Sequence, residues 1–136
     1  MFIDAGLYLG KLHILGDPLP FVVDEDTLIA DLKKSVSDFV NERDWEKFHN
    51  QKDLAISLSI EIGELLELFQ WKNPDDIDIQ KDEVADKVKE ELADVIIYAL
   101  SLANATNIDI SEAVLGKIKK NEGKYPVNEW KGKAWL

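Results

Sequence analysis

Four acidic residues stand in two matching pairs, Glu61 with Glu64 and Glu91 with Asp94, and the second pair follows the first by thirty positions. Residues three positions apart on an α-helix lie roughly 60° from each other on one face. In each segment the first acid falls inside a stripe of apolar residues and the second falls at its edge. The stripes are Leu54, Leu58, Ile62, Leu65 and Phe69 in the first segment, and Val84, Val88, Leu92, Val95 and Ala99 in the second. This pattern predicts two facing helices that bring four carboxylates together.

Such a group of carboxylates needs compensation, because unpaired anions are very costly to bury. A hard divalent cation with oxygen ligands is the simplest compensation, and Mg²⁺, with Mn²⁺ as a substitute, is the expected cofactor. The alternative is a solvated acidic surface, since the chain holds 27 acidic residues and chance pairs are common in such a sequence. Two pairs that both lie on the apolar side favour the cation site.

The charge balance limits the classes of partner. The chain of 136 residues carries a formal net charge of −11. Wrapping of nucleic acid requires clustered positive charge, so no nucleic-acid polymer is expected as a partner. An anionic substrate would need a metal ion to bring it to this protein. The chain has no cysteine, which excludes disulfides and thiolate zinc sites.

The length is that of one domain with an extension at each end. Residues 1–24 contain several Gly and Pro and predict a non-helical N-terminal extension of unknown role. Residues 25–126 form the main helical domain, and residues 127–136 form a C-terminal tail that is loose or docked on a neighbouring subunit. No signal peptide and no membrane span is recognisable, so we expect a cytoplasmic protein without a membrane partner.

The main domain is expected to be all-α, with four main helices in a bundle. Pro74 ends the second helix because proline cannot continue the hydrogen-bond ladder, and the acidic residues 75–83 form a loop. The predicted helices run from a cap at Asp26 or Thr27 to about Asp44, over about 52–71, over about 83–105, and from a cap at Asp109 or Ser111 to about Asn121.

The sequence around the acidic pairs resembles a known family. The runs RDWEKFHNQKDLAISLSIEIGELLELFQWK, EELADVIIYALSLA and DISEAVLGKIKKNEGKYP are similar to the MazG-like all-α nucleoside triphosphate pyrophosphohydrolases, most of all to their dCTP pyrophosphatase branch. The similarity covers residues 35–126. It implies that the four carboxylates bind Mg²⁺ and serve catalysis, and that a deoxynucleoside triphosphate such as dCTP is hydrolysed to its monophosphate and pyrophosphate in nucleotide pool clean-up.

The resemblance also implies substrate contacts. By spacing alone, Lys117, Lys120 and Lys124 form one side of the fourth helix, and a solvated lysine face explains them equally well. By pattern alone, the aromatic residues are more often core than ligand contacts. The resemblance implies Lys117 and Lys124 as phosphate contacts, and it implies a nucleobase pocket formed by Trp45, His49, Trp71 and Tyr98. Asn121, four residues after Lys117, is expected to face the same site and bind the sugar or a phosphate, and Tyr125 is expected to pack against the ribose or the bound base.

The residues also allow two other interpretations. A di-iron carboxylate bundle needs two Glu-x-x-His motifs. The chain offers Glu46 with His49, whereas Gly10 occupies the position that a glutamate would need before His13. A non-catalytic helical interaction module is the second alternative, and the complete set of four carboxylates argues against it.

Apolar residues lie on more than one side of the helices, which predicts a partner surface. The resemblance implies a homodimer whose sites borrow residues across subunits, or a homotetramer of two such dimers. The tetramer is the favoured expectation.

Overall fold

The computed structural model describes residues 22–77 and 84–133. The predictions for residues 1–21, for 78–83 in the acidic loop and for 134–136 in the tail lie outside the described residues. The described chain forms four long helices, α1 (Ile29–Glu42), α2 (Gln51–Glu67), α3 (Val84–Thr106) and α4 (Ile110–Lys124), and a short α5 (Val127–Trp130). Single 3-10 turns lie at Glu46–Phe48 and Pro74–Asp76. The predicted all-α class with four main helices is confirmed. Within the described ranges, no helix has the length and apolar character that a membrane crossing requires.

Short polar side chains cap the N-termini of two of the long helices. The side-chain oxygen of Asn50 accepts the backbone N–H of Asp53 at 3.0 Å and so caps α2. Asp109 caps α4 in the same way by accepting the N–H of Glu112 at 2.9 Å, which selects it over Ser111. These caps satisfy N–H groups that have no partner inside the helix.

The first helix starts later than predicted. The hydroxyl of Thr27 donates to the carbonyl of Val23 at 2.9 Å and is therefore not used as a cap. Instead, the carboxylate of Asp31 accepts the backbone N–H of Leu28 at 3.0 Å. Leu28 thus becomes the residue before the first turn, and α1 begins at Ile29.

The end of α1 positions an aromatic ring. Asp44 adopts a left-handed φ of 53° and donates its N–H to Asn41 O at 3.0 Å, while Trp45 N–H reaches Val40 O at 3.1 Å. These two bonds form a Schellman motif, in which an apolar residue packs back on the last turns of the helix. Trp45 does this here, since its ring meets Phe39 edge-on at 5.8 Å.

A second left-handed turn ends α3 and joins it to α1. Asn107 has a φ of 55°, and Ile108 N–H donates to Ala103 O at 3.0 Å. The ammonium of Lys33 donates to the Ile108 carbonyl at 2.8 Å, and the Asn104 amide donates to the Lys33 carbonyl at 2.9 Å. These bonds hold the first helix against the last turns of the third.

The end of α2 was predicted wrongly. The helix ends at Glu67, because the next amides bond three residues back, as Phe69 N–H does to Leu66 O at 3.0 Å. Such bonds tighten the chain before it reaches Pro74. Trp71 therefore lies in a turn rather than on the helix, and it is 89% exposed.

Two further boundaries differ from prediction near the C-terminus. Helix α4 continues to Lys124, three residues beyond the expected boundary at about Asn121, and it ends at Tyr125-Pro126, the dipeptide predicted to stop it. The tail is partly helical at Val127–Trp130, where the Trp130 ring packs edge-on against Tyr125 at 5.2 Å.

Helix α3 is the central element, and both α2 and α1 pack against it. Among the described residues the buried ones are Leu54 at the start of α2 and Leu100, Ser101 and Ala103 in the last third of α3. The predicted apolar stripes are covered only in part. Ile62 and Leu92 remain about half exposed, because each helix covers a narrower strip of its neighbour than the stripes span.

Helix α4 differs from the other long helices. Every residue from 111 to 120 is exposed, and within the described ranges α4 does not pack extensively on α1, α2 or α3. Its apolar residues Val114, Leu115 and Ile118 consequently face outward. Large exposed apolar surfaces of this kind mark sites where another molecule binds.

Candidate active site

Three of the four predicted carboxylates converge where α2 and α3 pack together. Glu61, Glu64 and Glu91 each offer one carboxylate oxygen, and these oxygens all lie within 4.8 Å of one another. Glu61 and Glu91 are half-buried, whereas Glu64 is exposed. The spacing of three residues places Glu61 and Glu64 on the side of α2 that meets α3.

The carboxylates of this cluster repel one another, and two of them are partly removed from water. Removal of Glu61 from water raises its pKa first, and repulsion from Glu64, Asp94 and Glu91 raises it further. The pKa of Glu91 is raised by the same causes, first by removal from water and then by Glu64 and Asp94. Its Oε2 atom is buried and finds no hydrogen-bond partner among the described residues. A buried acceptor without a donor costs free energy, so these residues fit a bound cation.

Asp94, the fourth predicted carboxylate, connects this cluster to a cavity. It stands outside the group of three and is exposed, but it lies close enough to raise the pKa of both Glu61 and Glu91. The same residue lines a cavity of about 640 Å³ between α1 and α3. The carboxylates therefore lie at the edge of a space of the size that small-molecule ligands occupy.

Three of the four residues predicted for the nucleobase line this cavity. Trp45 and His49 enter it from the segment between α1 and α2, and Tyr98 enters it from α3. The remaining walls are largely apolar and include Leu32, Val36, Phe39, Ile96 and Ile97. Flat aromatic and apolar walls with a few polar groups suit a heterocyclic base.

A second cavity of about 310 Å³ adjoins the first. The two share four lining residues, Val36, Val40, His49 and Ser101. The second is more polar, since Asn41, Glu46 and Asn104 also line it.

The other predicted substrate contacts lie elsewhere. Trp71 lines neither cavity. Nor do the predicted contacts on α4 and at its C-terminal end, which are Lys117, Asn121, Lys124 and Tyr125. The ammonium of Lys124 lies 5.1 Å from the ring of its neighbour Tyr125. Within the described chain, the predicted basic contacts and the carboxylate cluster are therefore not joined in one pocket.

Two serines that sequence reasoning missed also line the larger cavity, Ser35 from α1 and Ser101 from α3. A signal for Ser101 existed, because it follows Asp94 by seven positions and residues two turns apart share a helix face. No comparable signal marked Ser35.

A sequence model of the MazG-like family matches residues 56–134, which include all four carboxylates and α4. The chain belongs to the MazG-like family. The resemblance seen in the sequence is thereby confirmed.

Several characterised proteins are similar to this MazG-like chain. The dCTP pyrophosphatase 1 of Mus musculus is 38% identical over 119 residues, a match that covers 85% of this chain and 69% of the mouse protein. The dCTP pyrophosphatase 1 of Homo sapiens is 36% identical over 113 residues, covering 82% of this chain and 66% of the human protein. The crystal structure of a pyrophosphatase from Archaeoglobus fulgidus superposes with a TM-score of 0.63 at 39% identity, covering 78% of this chain and 99% of the archaeal one. The family and the three converging glutamates are together consistent with a divalent metal ion.

Proposed function

We propose that this MazG-like protein hydrolyses deoxynucleoside triphosphates, with dCTP among its substrates, to the monophosphate and pyrophosphate, and that it serves nucleotide pool clean-up. The observation that carries the proposal is the carboxylate cluster at the edge of a base-sized cavity. The similar mammalian proteins are named dCTP pyrophosphatases, which supports the choice of nucleotide.

In this proposal Glu61, Glu64, Glu91 and Asp94 hold Mg²⁺, for which Mn²⁺ can substitute. Bound there, the ion would neutralise phosphate oxygens and acidify water. The buried, unpartnered oxygen of Glu91 suits a metal ligand. The exposed carboxylate of Glu64 is open to solvent and suits acceptance of the proton from the water that attacks the α phosphorus. The bond from the α phosphorus to its bridging oxygen breaks, and pyrophosphate leaves.

The base occupies the larger cavity in this proposal, beside Trp45, His49 and Tyr98. The Trp45 ring is preorganised, because the Schellman turn fixes its backbone and the ring packs edge-on with Phe39. Asp94 lines the same cavity, and in this proposal the phosphates lie beside it.

The proposed assembly is a homotetramer made of two dimers, in which a neighbouring subunit completes each site. The residues supplied by the neighbour are Trp71, Lys117, Asn121, Lys124 and Tyr125. The exposed apolar side of α4 supports this, since a helix that its own chain leaves uncovered can pack on a second copy. Light scattering distinguishes the tetramer from a homodimer.

Product analysis tests the proposal directly. The full chain is incubated with Mg²⁺ and a panel of deoxynucleoside and nucleoside triphosphates, and the products are separated by chromatography. We expect monophosphate and pyrophosphate, with ¹⁸O from labelled water in the monophosphate because attack occurs at the α phosphorus. Release of orthophosphate with a diphosphate would refute the assigned bond. Absence of turnover, with no thermal shift on adding Mg²⁺, would instead favour a non-catalytic interaction module.

A further inference from the structure

Ser101 is the polar member of the small buried set among the described residues, and its side chain has no partner there. It is 6% exposed, and no described residue hydrogen-bonds its hydroxyl. Thr106 on the same helix behaves differently, because its hydroxyl donates to the Leu102 carbonyl at 2.7 Å. Helical Ser and Thr usually satisfy their hydroxyl in this way, by bonding a carbonyl one turn back. The Ser101 oxygen is not among the enclosed side-chain atoms that lack a partner in the described chain, so the hydroxyl reaches the cavity space and is open to bind a ligand there.

The position of Ser101 shows where such a ligand would lie. The residue lines both cavities and therefore borders the junction between them. It follows Asp94 on the same face of α3 by seven residues, which corresponds to a rise of about 10 Å along the helix axis. Asp94 marks the phosphate end of the proposed site, so Ser101 lies at the opposite end. A sugar and a single six-membered ring together span a distance of this order.

We infer that the Ser101 hydroxyl binds the polar group at position 4 of a pyrimidine base, so that Ser101 is a specificity-determining residue of the site. This inference rests on the proposed function. Position 4 lies across the ring from the nitrogen that carries the sugar, so it is the part of the base farthest from the phosphates. A hydroxyl can both donate and accept, so Ser101 can serve an amino or a carbonyl group there. It discriminates against a base that carries hydrogen at this position.

The test varies the protein and the base together. Ser101→Ala and Ser101→Thr are compared with wild type on dCTP and on the analogue whose cytosine amino group is replaced by hydrogen. Thr106→Val is the matched control, since it removes a hydroxyl from the same helix away from both cavities. Alanine favours helix, so Ser101→Ala is expected to fold, which circular dichroism checks.

The expected result is a loss of about three- to tenfold in kcat/KM for dCTP in Ser101→Ala, as for one neutral hydrogen bond. The loss appears mainly in KM, activity on the analogue does not change, and Ser101→Thr and Thr106→Val retain wild-type selectivity. Equal losses on both substrates would show a merely structural serine and overturn the inference. Unchanged dCTP kinetics in Ser101→Ala would overturn it as well, while the proposed function would stand. A wild type that hydrolyses neither substrate would refute the proposed function itself, and the inference with it.

Discussion

The helix pair α2–α3 and the helix α4 differ in how far their own chain covers them. In the pair, apolar contact encloses acids, and Glu61 and Glu91 become half-buried with raised pKa values. In α4 the charges are mainly lysines, and residues 111–120 all remain exposed beside uncovered apolar side chains. The acidic half of the proposed phosphate site is thus assembled within one chain, whereas the proposed basic half lies on a helix that its own chain does not cover extensively.

The carboxylates and the lysines therefore depend on different contacts. The carboxylates converge because the α2–α3 contact fixes their spacing, and that contact is internal. In the proposed assembly the lysines meet a phosphate at the carboxylates because α4 reaches the site of another copy. Substitutions at the carboxylates, at the lysines of α4 and at the two tryptophans test these contacts separately.

The largest effect is expected at the carboxylates. Glu91→Gln keeps the shape of the side chain but removes the charge that a cation needs, so turnover should fall roughly a hundredfold or more. Glu61→Gln, Glu64→Gln and Asp94→Asn are expected to lose most turnover too. Steady-state rates with saturating Mg²⁺ measure this, and circular dichroism should show unchanged helicity.

Glu67→Gln is the matched control for the carboxylates, because it lies on α2 and is exposed outside the cluster. It should keep near wild-type activity. Full activity in any two of the four cluster variants would contradict a four-carboxylate site.

The next effect concerns α4. Lys117→Ala and Lys124→Ala should each lower kcat/KM by about tenfold or more, as for a lost hydrogen bond to a charged group. Lys119→Ala should have little effect, because Lys119 lies roughly 200° around the helix from Lys117 and so on its opposite side. If the lysines act on a neighbouring subunit, mixing Glu91→Gln with the Lys117→Ala, Lys124→Ala double variant should restore part of the activity. Mixed samples that stay inactive after subunit exchange would place both halves in the same chain.

The tryptophans provide a third contrast. Trp45 is packed against Phe39, so Trp45→Ala should lower the melting temperature and also raise the KM for dCTP. Trp71 is almost fully exposed, so Trp71→Ala should leave the melting temperature unchanged and raise KM by about tenfold if the ring stacks on a base. Melting temperature and KM are measured on the same preparation. An unaltered KM in Trp71→Ala would remove this residue from the proposed base site.

The sequence predicted the acidic half of this site well, because that half depends on local rules. Helical spacing and an apolar stripe were sufficient to bring Glu61, Glu64 and Glu91 together, and Asp109 was foreseen as a cap. The helix class and the family were also foreseen. These features involve residues a few positions apart, or two apolar stripes on helices that pack on each other.

Features that depend on competition or on long-range contact were harder to predict. Helix α2 could end either at Pro74 or earlier, where backbone amides bond the carbonyl three residues back. The structure shows the earlier end, so Trp71 lies beyond the helix. The burial of Ser101 depends on how α1 lies on α3, which a periodic pattern does not specify. The exposure of α4 is a property of the whole chain, and its spacing of lysines is the same whether the helix is covered or not.

The smallest effect is on the stability of the metal-free protein. Because the folded-state pKa of Glu91 lies above the ordinary glutamate value of 4.5, the folded state binds more protons than the unfolded state between those two values. The stabilising contribution of the protonated group is complete below the unfolded pKa and is lost as pH rises through the folded pKa. In a chelator, Glu91→Gln should therefore melt above wild type near neutral pH, and this difference should shrink as the pH falls toward 4.5. Added Mg²⁺ should raise the melting temperature of wild type more than that of the variant, and Glu67→Gln should show neither trend. A Glu91→Gln protein that melts below wild type in chelator at neutral pH would mean that Glu91 is stabilised by a partner within the chain, and that the cluster does not need a cation.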